Sequence, residues 1–116
     1  MRIRARGRTA GRQTGMNKTE AFHAMVLEAR KRNGEIHDYR FEGMTLRLAD
    51  RTTYTPDFLV IMPGGEIELH ETKGFWRDDA RVKIKVAAEA FPWFVFRSFV
   101  FEQKHGQFFM KKEEEF

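Results

Sequence analysis

The chain has no cysteine, which excludes disulfide staples, thiol nucleophiles and every cysteine-based zinc site. It also lacks any apolar run near the roughly 20 residues that a bilayer crossing takes, and its arginine-rich start has no signal-peptide-like apolar stretch. A soluble, intracellular protein with no membrane partner is the expectation. The four histidines, His23, His37, His70 and His105, are scattered without metal-ligand spacing, so a histidine-based zinc enzyme is not expected. Acid is missing from the first 16 residues, where Arg2, Arg4, Arg6, Arg8 and Arg12 all fall.

What remains is a globular composition. The 116 residues suit one domain, and 41% hydrophobic residues with 12 phenylalanines supply a core beside 33% charged residues. The formal charge of +4 belongs to the start: the other 16 basic and 17 acidic residues nearly cancel. Residues 1–16, with Gly7, Gly11 and Gly15 between the arginines and no hydrophobic period, read as a flexible basic arm before a folded domain over 17–116. Such an arm suits phosphate contacts with nucleic acid, or serves as a solubilising tail.

Asn17 with Glu20 three residues on marks a capped helix, with Phe22, Met25, Val26 and Ala29 at helical spacing and an end near Asn33 and Gly34. Two short extended segments follow, over 36–42 and 45–49. Residues 54–62 form a strand, Pro63-Gly64-Gly65 a turn, and 66–73 a second strand in which Ile67 and Leu69 alternate with polar residues, together a β-hairpin. Asp78 or Asp79 caps a second helix over about 79–91, with Val82, Val86, Ala87 and Ala90 on its apolar face. The run 93–102 reads as a central strand apolar on both faces, and a His105-Gly106 turn leads to a last strand over 107–112. Strand, helix and strand in that order call for a crossover, so 66–73 and 93–102 should run parallel. The fold class is α/β: a single domain with a mixed sheet flanked by helices.

A turn centred on Gly64 places Asp57 opposite Glu71. Directly opposed residues of an antiparallel pair have Cα atoms about 4.5 to 5.5 Å apart and side chains on one face. Two carboxylates so placed repel each other and call for a cation between them. Hard oxygen ligands of this kind suit Mg²⁺, with Mn²⁺ as a substitute, and the backbone near Glu71, at Thr72, can add a carbonyl. Lys73 emerges on the same face about 7 Å beyond Glu71, able to orient or deprotonate a water or to stabilise charge on a phosphate. Asp57, Glu71 and Lys73 are the expected catalytic residues; a solvated strand edge is the plainer reading of Glu71 and Lys73. Downstream, Phe75, Trp76 and Arg77 in a loop and Arg81, Lys83 and Lys85 on the second helix are candidates to stack on a base or meet phosphate, as are the five arm arginines. Packing on the sheet and a solvated helix face are the alternatives.

Tyr54-Thr55-Pro56-Asp57-Phe58 followed by Glu71-Thr72-Lys73-Gly74 resembles the signature of the PD-(D/E)XK nuclease superfamily. The stretches Asn17 to Glu20, Tyr39 to Glu42, Leu46 to Ala49 and Phe75 to Ala80 are similar to a group of small phage-borne predicted endonucleases, a domain-of-unknown-function family. The resemblance covers about residues 17 to 96. It implies a restriction-endonuclease-like α-β-β-β-α-β core, metal ligation by Asp57 and Glu71, a catalytic lysine at Lys73, and a place for Glu20 as an extra ligand on the first helix, where the residue equally completes a helix cap. It implies a Mg²⁺-dependent DNA endonuclease in a bacterial cytoplasm, cutting branched DNA as Holliday-junction resolvases do, and therefore a homodimer. The alternatives are a nicking enzyme of linear DNA and a non-catalytic nucleic-acid-binding protein.

Overall fold

The computed structural model describes the backbone of Ile3–Ala5 and, with side chains, residues 15–116. Helix α1 (Lys18–Arg32) starts on a complete capping box: Asn17 Oδ1 accepts the Glu20 N–H at 2.8 Å, and Glu20 Oε1 accepts the Asn17 N–H at 2.9 Å. It closes at Asn33, where Gly34 takes φ +77°. The buried face is His23, Ala24 and Leu27 rather than the expected Phe22, Met25, Val26 and Ala29; Met25 is 68% exposed. A histidine counts as polar in a sequence pattern, yet His23 is buried because its ring is hydrogen-bonded inside, and this turns the helix face.

The strands are β1 (Ile3–Ala5), β2 (Asp38–Phe41), β3 (Met44–Ala49), β4 (Thr52–Tyr54), β5 (Phe58–Ile61), β6 (Ile67–Lys73), β7 (Val95–Lys104) and β8 (Gln107–Glu115), with helix α2 (Asp78–Ala90) between β6 and β7. They form a five-stranded sheet in the order β2-β5-β6-β7-β8 and a three-stranded sheet β1-β3-β4. The expected single strand over 54–62 is two. Pro56, which has no N–H for a ladder, separates β4 from β5, and the chain passes from one sheet to the other there. Within the arm, Ile3–Ala5 is not irregular as expected but pairs antiparallel with β3, Ile3 opposite Leu46. Arg2, Arg6, Arg8 and Arg12 lie outside the described residues.

Two cores lie on the two faces of the larger sheet. On one face Leu69 and Phe96 meet α2 through Ile84, Ala87 and Phe91, and the smaller sheet through Met44, Leu46, Leu48 and Tyr54. On the other, Phe58 and Val60 meet Ala24 and Leu27 of α1, with Ile36. The face of α2 differs from the expected one: Val82 and Val86 are exposed, and Ile84 carries the burial with Ala87. Asp78 and Asp79 sit in the first turn without a side-chain cap, favourable to the helix dipole, and Arg77 is the N-cap. Because both faces of β7 are covered, Phe96, Phe99, Val100 and Phe101 are buried within the chain. Truncating such a phenylalanine costs about 3 to 5 kcal/mol. An exposed pair such as Arg32–Glu28 is worth at most about 1 kcal/mol, so the aromatics hold the fold.

The β6–β7 pair is parallel, with α2 as the crossover, as the sequence predicts. So is the hairpin register: β5 and β6 pair Phe58 with His70 and Ile61 with Ile67. Its loop closes with Met62 N–H to Glu66 O at 2.8 Å and Gly65 N–H to Met62 O at 2.9 Å, and Gly65 takes φ +94°. Gly65→Ala should therefore lower stability to urea by about 1 kcal/mol, the cost of a Cβ in the left-handed region. Gly64→Ala, where a Cβ meets only the far end of the Glu66 side chain, should cost less. Equal losses would mean that the turn does not depend on the Gly65 conformation.

Candidate metal and catalytic centre

The register of the hairpin and the Pro56 break deliver one acidic side chain from each side to the same buried spot. Asp57 stands just before β5, its backbone carbonyl fixed by the Glu42 N–H at 2.7 Å, and Glu71 stands on β6; they are 9% and 7% exposed. Asp57 Oδ2 accepts from the Thr72 N–H at 2.8 Å and from Thr72 Oγ1 at 3.1 Å. Glu71 Oε1 accepts from the Tyr54 hydroxyl at 2.7 Å, and its Oε2 pairs with Lys73 Nζ at 2.9 Å. The three residues expected to carry chemistry are thus brought together at the end of β6. Thr72 joins them through its N–H and hydroxyl, while its carbonyl, the ligand atom expected from the sequence, makes no contact with the pair that the structure records.

The electrostatics follow from burial. Desolvation, then the Glu71 charge, push the Asp57 carboxyl from 3.8 up to about 8, against the two Thr72 hydrogen bonds. Burial alone works against the Lys73 charge, but Glu71 outweighs it and the ammonium is held above its ordinary range. Burial and Glu71 likewise keep the Tyr54 hydroxyl protonated, so it remains a donor. With both carboxylates ionised, the pocket would hold more negative charge than its single lysine balances. That surplus suits a divalent cation, and two carboxylates are what Mg²⁺ commonly takes from a protein that leaves its other positions to water and phosphate. Among the described residues, no group of three or more carboxylates, imidazoles or thiols is arranged around a metal position. Glu20 forms the helix cap, the plainer of its two expected roles, and its charge contributes in a minor way at Asp57 and Lys73.

A cleft of about 460 Å³ opens beside Lys73 and Thr72, lined also by Glu20, Phe75, Arg77 and Asp79. The other candidate contacts separate. Trp76 is half-buried, edge-on to Phe116 at 6.1 Å and under the Arg81 guanidinium at 5.4 Å, so it packs inward as its alternative reading has it. Arg81 is engaged by Glu114 in a two-pronged pair at 3.1 and 3.0 Å. Lys83 and Lys85 are exposed on α2.

Sequence reasoning missed Tyr54 as the partner of Glu71, and it missed the network behind the strand. On the opposite face of β6, His70 Nε2 lies 2.8 Å from Glu68 Oε1 and His70 Nδ1 lies 3.0 Å from His23 Nε2. The carboxylate only accepts, so His70 carries its proton on Nε2 and receives one hydrogen bond from His23 on Nδ1. Burial pushes both imidazoles below the ordinary range, His23 to about 3. Arg97 closes the network at 3.3 Å from Glu68. Alternation along β6 turns His70 away from Glu71. The 47-residue separation of the histidines hides their contact from any local pattern.

In the metal-free protein, a folded-state Asp57 value near 8 against 3.8 ordinarily means that the folded chain holds a proton the unfolded chain has released. Stability from this group is complete at low pH and is lost as pH rises through that window. Asp57→Asn, neutral throughout, should be as stable as the wild type near pH 3 in EDTA and more stable by on the order of 1 kcal/mol or more near pH 8.5, read by urea unfolding. A gap that does not change with pH would contradict the buried repulsion. No family model, curated protein or solved structure matches the chain, so its assignment rests on the geometry of this centre.

Proposed function

We propose that the chain is a Mg²⁺-dependent endodeoxyribonuclease that hydrolyses phosphodiester bonds, with Asp57 and Glu71 as metal ligands and Lys73 as the catalytic lysine. The observation that carries the reading is the meeting of two buried carboxylates and one ammonium where the chain enters β5 beside the end of β6. The element order α1, β-strands, β6, α2, β7 is compatible with a restriction-endonuclease-like core, and we read the domain as one.

A divalent cation at the pair would supply Lewis-acid polarisation of the scissile phosphate and a more acidic water. The chain's own residues supply the rest. Thr72 fixes Asp57 through Oδ2, and among the described residues Oδ1 has no hydrogen-bond partner. Tyr54 orients Glu71 through Oε1. Lys73, tethered to Glu71 Oε2, presents an ammonium at the cleft, where it can hold the attacking water or neutralise charge on the phosphate. The near-neutral folded part argues against binding nucleic acid by charge alone, which favours this reading over a simple binding module. Branched DNA remains the preferred substrate, with a two-fold dimer as the assembly that paired incisions would require.

The purified chain should cut at least one of labelled junction, flap, single-stranded or duplex DNA in Mg²⁺ or Mn²⁺, and none in EDTA. Glu71→Gln and Lys73→Met should each reduce the rate by about 100-fold or more. Cleavage of no DNA form, or cleavage that persists undiminished in both variants, would refute the assignment.

A further inference from the structure

Gly74 ends β6, and the two aromatic residues after it part company. Trp76 turns inward against Phe116 and the core beside α2. Phe75 stays outside, 69% exposed, on the wall of the cleft that also takes in Lys73, Thr72 and Arg77. The Arg77 guanidinium lies 6.0 Å from the Phe75 ring centroid, and Arg77 is the N-cap of α2 with no side-chain cap hydrogen bond. The larger ring is therefore half-buried against the core, while a phenylalanine, which has no polar atom for water to satisfy, borders a charged cleft.

The charges in that cleft do not suit a polyanion held by field alone. Lys73 and Arg77 are balanced by Glu20 and Asp79 on the same walls. Recognition there has to come from contact, and the surfaces on offer are one free aromatic face and one guanidinium beside it. A nucleotide matches both, with its uncharged base against the ring and its phosphate against Arg77. In a continuous duplex each base face is already covered by its neighbours. Only a base out of the stack has a face to give.

We infer that Phe75 and Arg77 form a stacking subsite for an unpaired DNA nucleotide beside the reaction centre, so that the substrates of this site carry single-stranded or splayed bases next to the bond that is cut. The inference takes its reaction centre from the nuclease reading, and binding without metal tests it separately from cleavage.

The test is the affinity of the full chain, in EDTA, for a fluorescently labelled single strand, a flap and a matched duplex, with 2-aminopurine placed along the single strand. Wild-type protein should bind the single strand and flap more tightly than the duplex and quench 2-aminopurine at one position. Phe75→Ala should weaken single-strand and flap binding by about 10-fold and abolish the quenching, leave duplex binding unchanged, and keep the wild-type melting temperature because the ring is exposed. Phe75→Trp should restore affinity and quenching. Unchanged single-strand affinity in Phe75→Ala, or an equal loss on duplex, would overturn the subsite even where the wild type cuts DNA. A selective loss in a protein that cuts nothing would uphold the subsite and refute the nuclease.

Discussion

Two carboxylates buried against each other are an unfavourable arrangement, and the rest of the domain is built around holding Asp57 and Glu71 in it. The hairpin turn sets the register, Pro56 ends one strand so that Asp57 can begin the next, and the Thr72 and Tyr54 donors tie down one oxygen of each carboxylate. A fold with no use for the pair would relieve the repulsion with a single neutral substitution. Here the relief is partial: a proton drawn onto Asp57 and the Lys73 ammonium at Glu71. The proton is what a divalent cation would replace.

Strand β6 carries this centre because it is the middle strand of the larger sheet and is packed on both sides. On the face with Leu69 lie α2 and the smaller sheet; on the face with His70 lies α1, joined through the buried His23–His70 hydrogen bond. His23 stands one helical turn after Glu20, so the bond that seats α1 on β6 also sets where the Glu20 charge falls relative to Asp57 and Lys73. A neutral imidazole pair suits this task, since a charged group so deep would cost several kcal/mol to bury unpaired.

Much of this was legible in the sequence because it depends on local signals. The Pro63-Gly64-Gly65 turn fixes the register, and the register brings Asp57 and Glu71 together; Asn17 and Glu20 mark the helix start; Gly106 marks the last turn, where His105 and Gly106 both take positive φ. The parts that were not legible depend on contacts distant in the chain. The strand at Ile3–Ala5 exists by pairing with β3, and neither helix shows its buried face in its own pattern. His23 is buried by a partner on β6, and Val82 and Val86 are left outside because Ile84 and Ala87 meet the sheets. Which of Phe75 and Trp76 faces solvent is likewise settled by Phe116 at the far end of the chain.

The central claim is that Asp57 and Glu71 together make a divalent-cation site, and calorimetric titration of Mn²⁺ into the protein at pH 7 to 8 addresses it without reference to any substrate. Wild-type protein should bind with release of protons, seen as a heat that changes with the ionisation enthalpy of the buffer, and Glu71→Gln should lose that binding. Equal Mn²⁺ affinity in the two proteins would contradict a metal site at this pair.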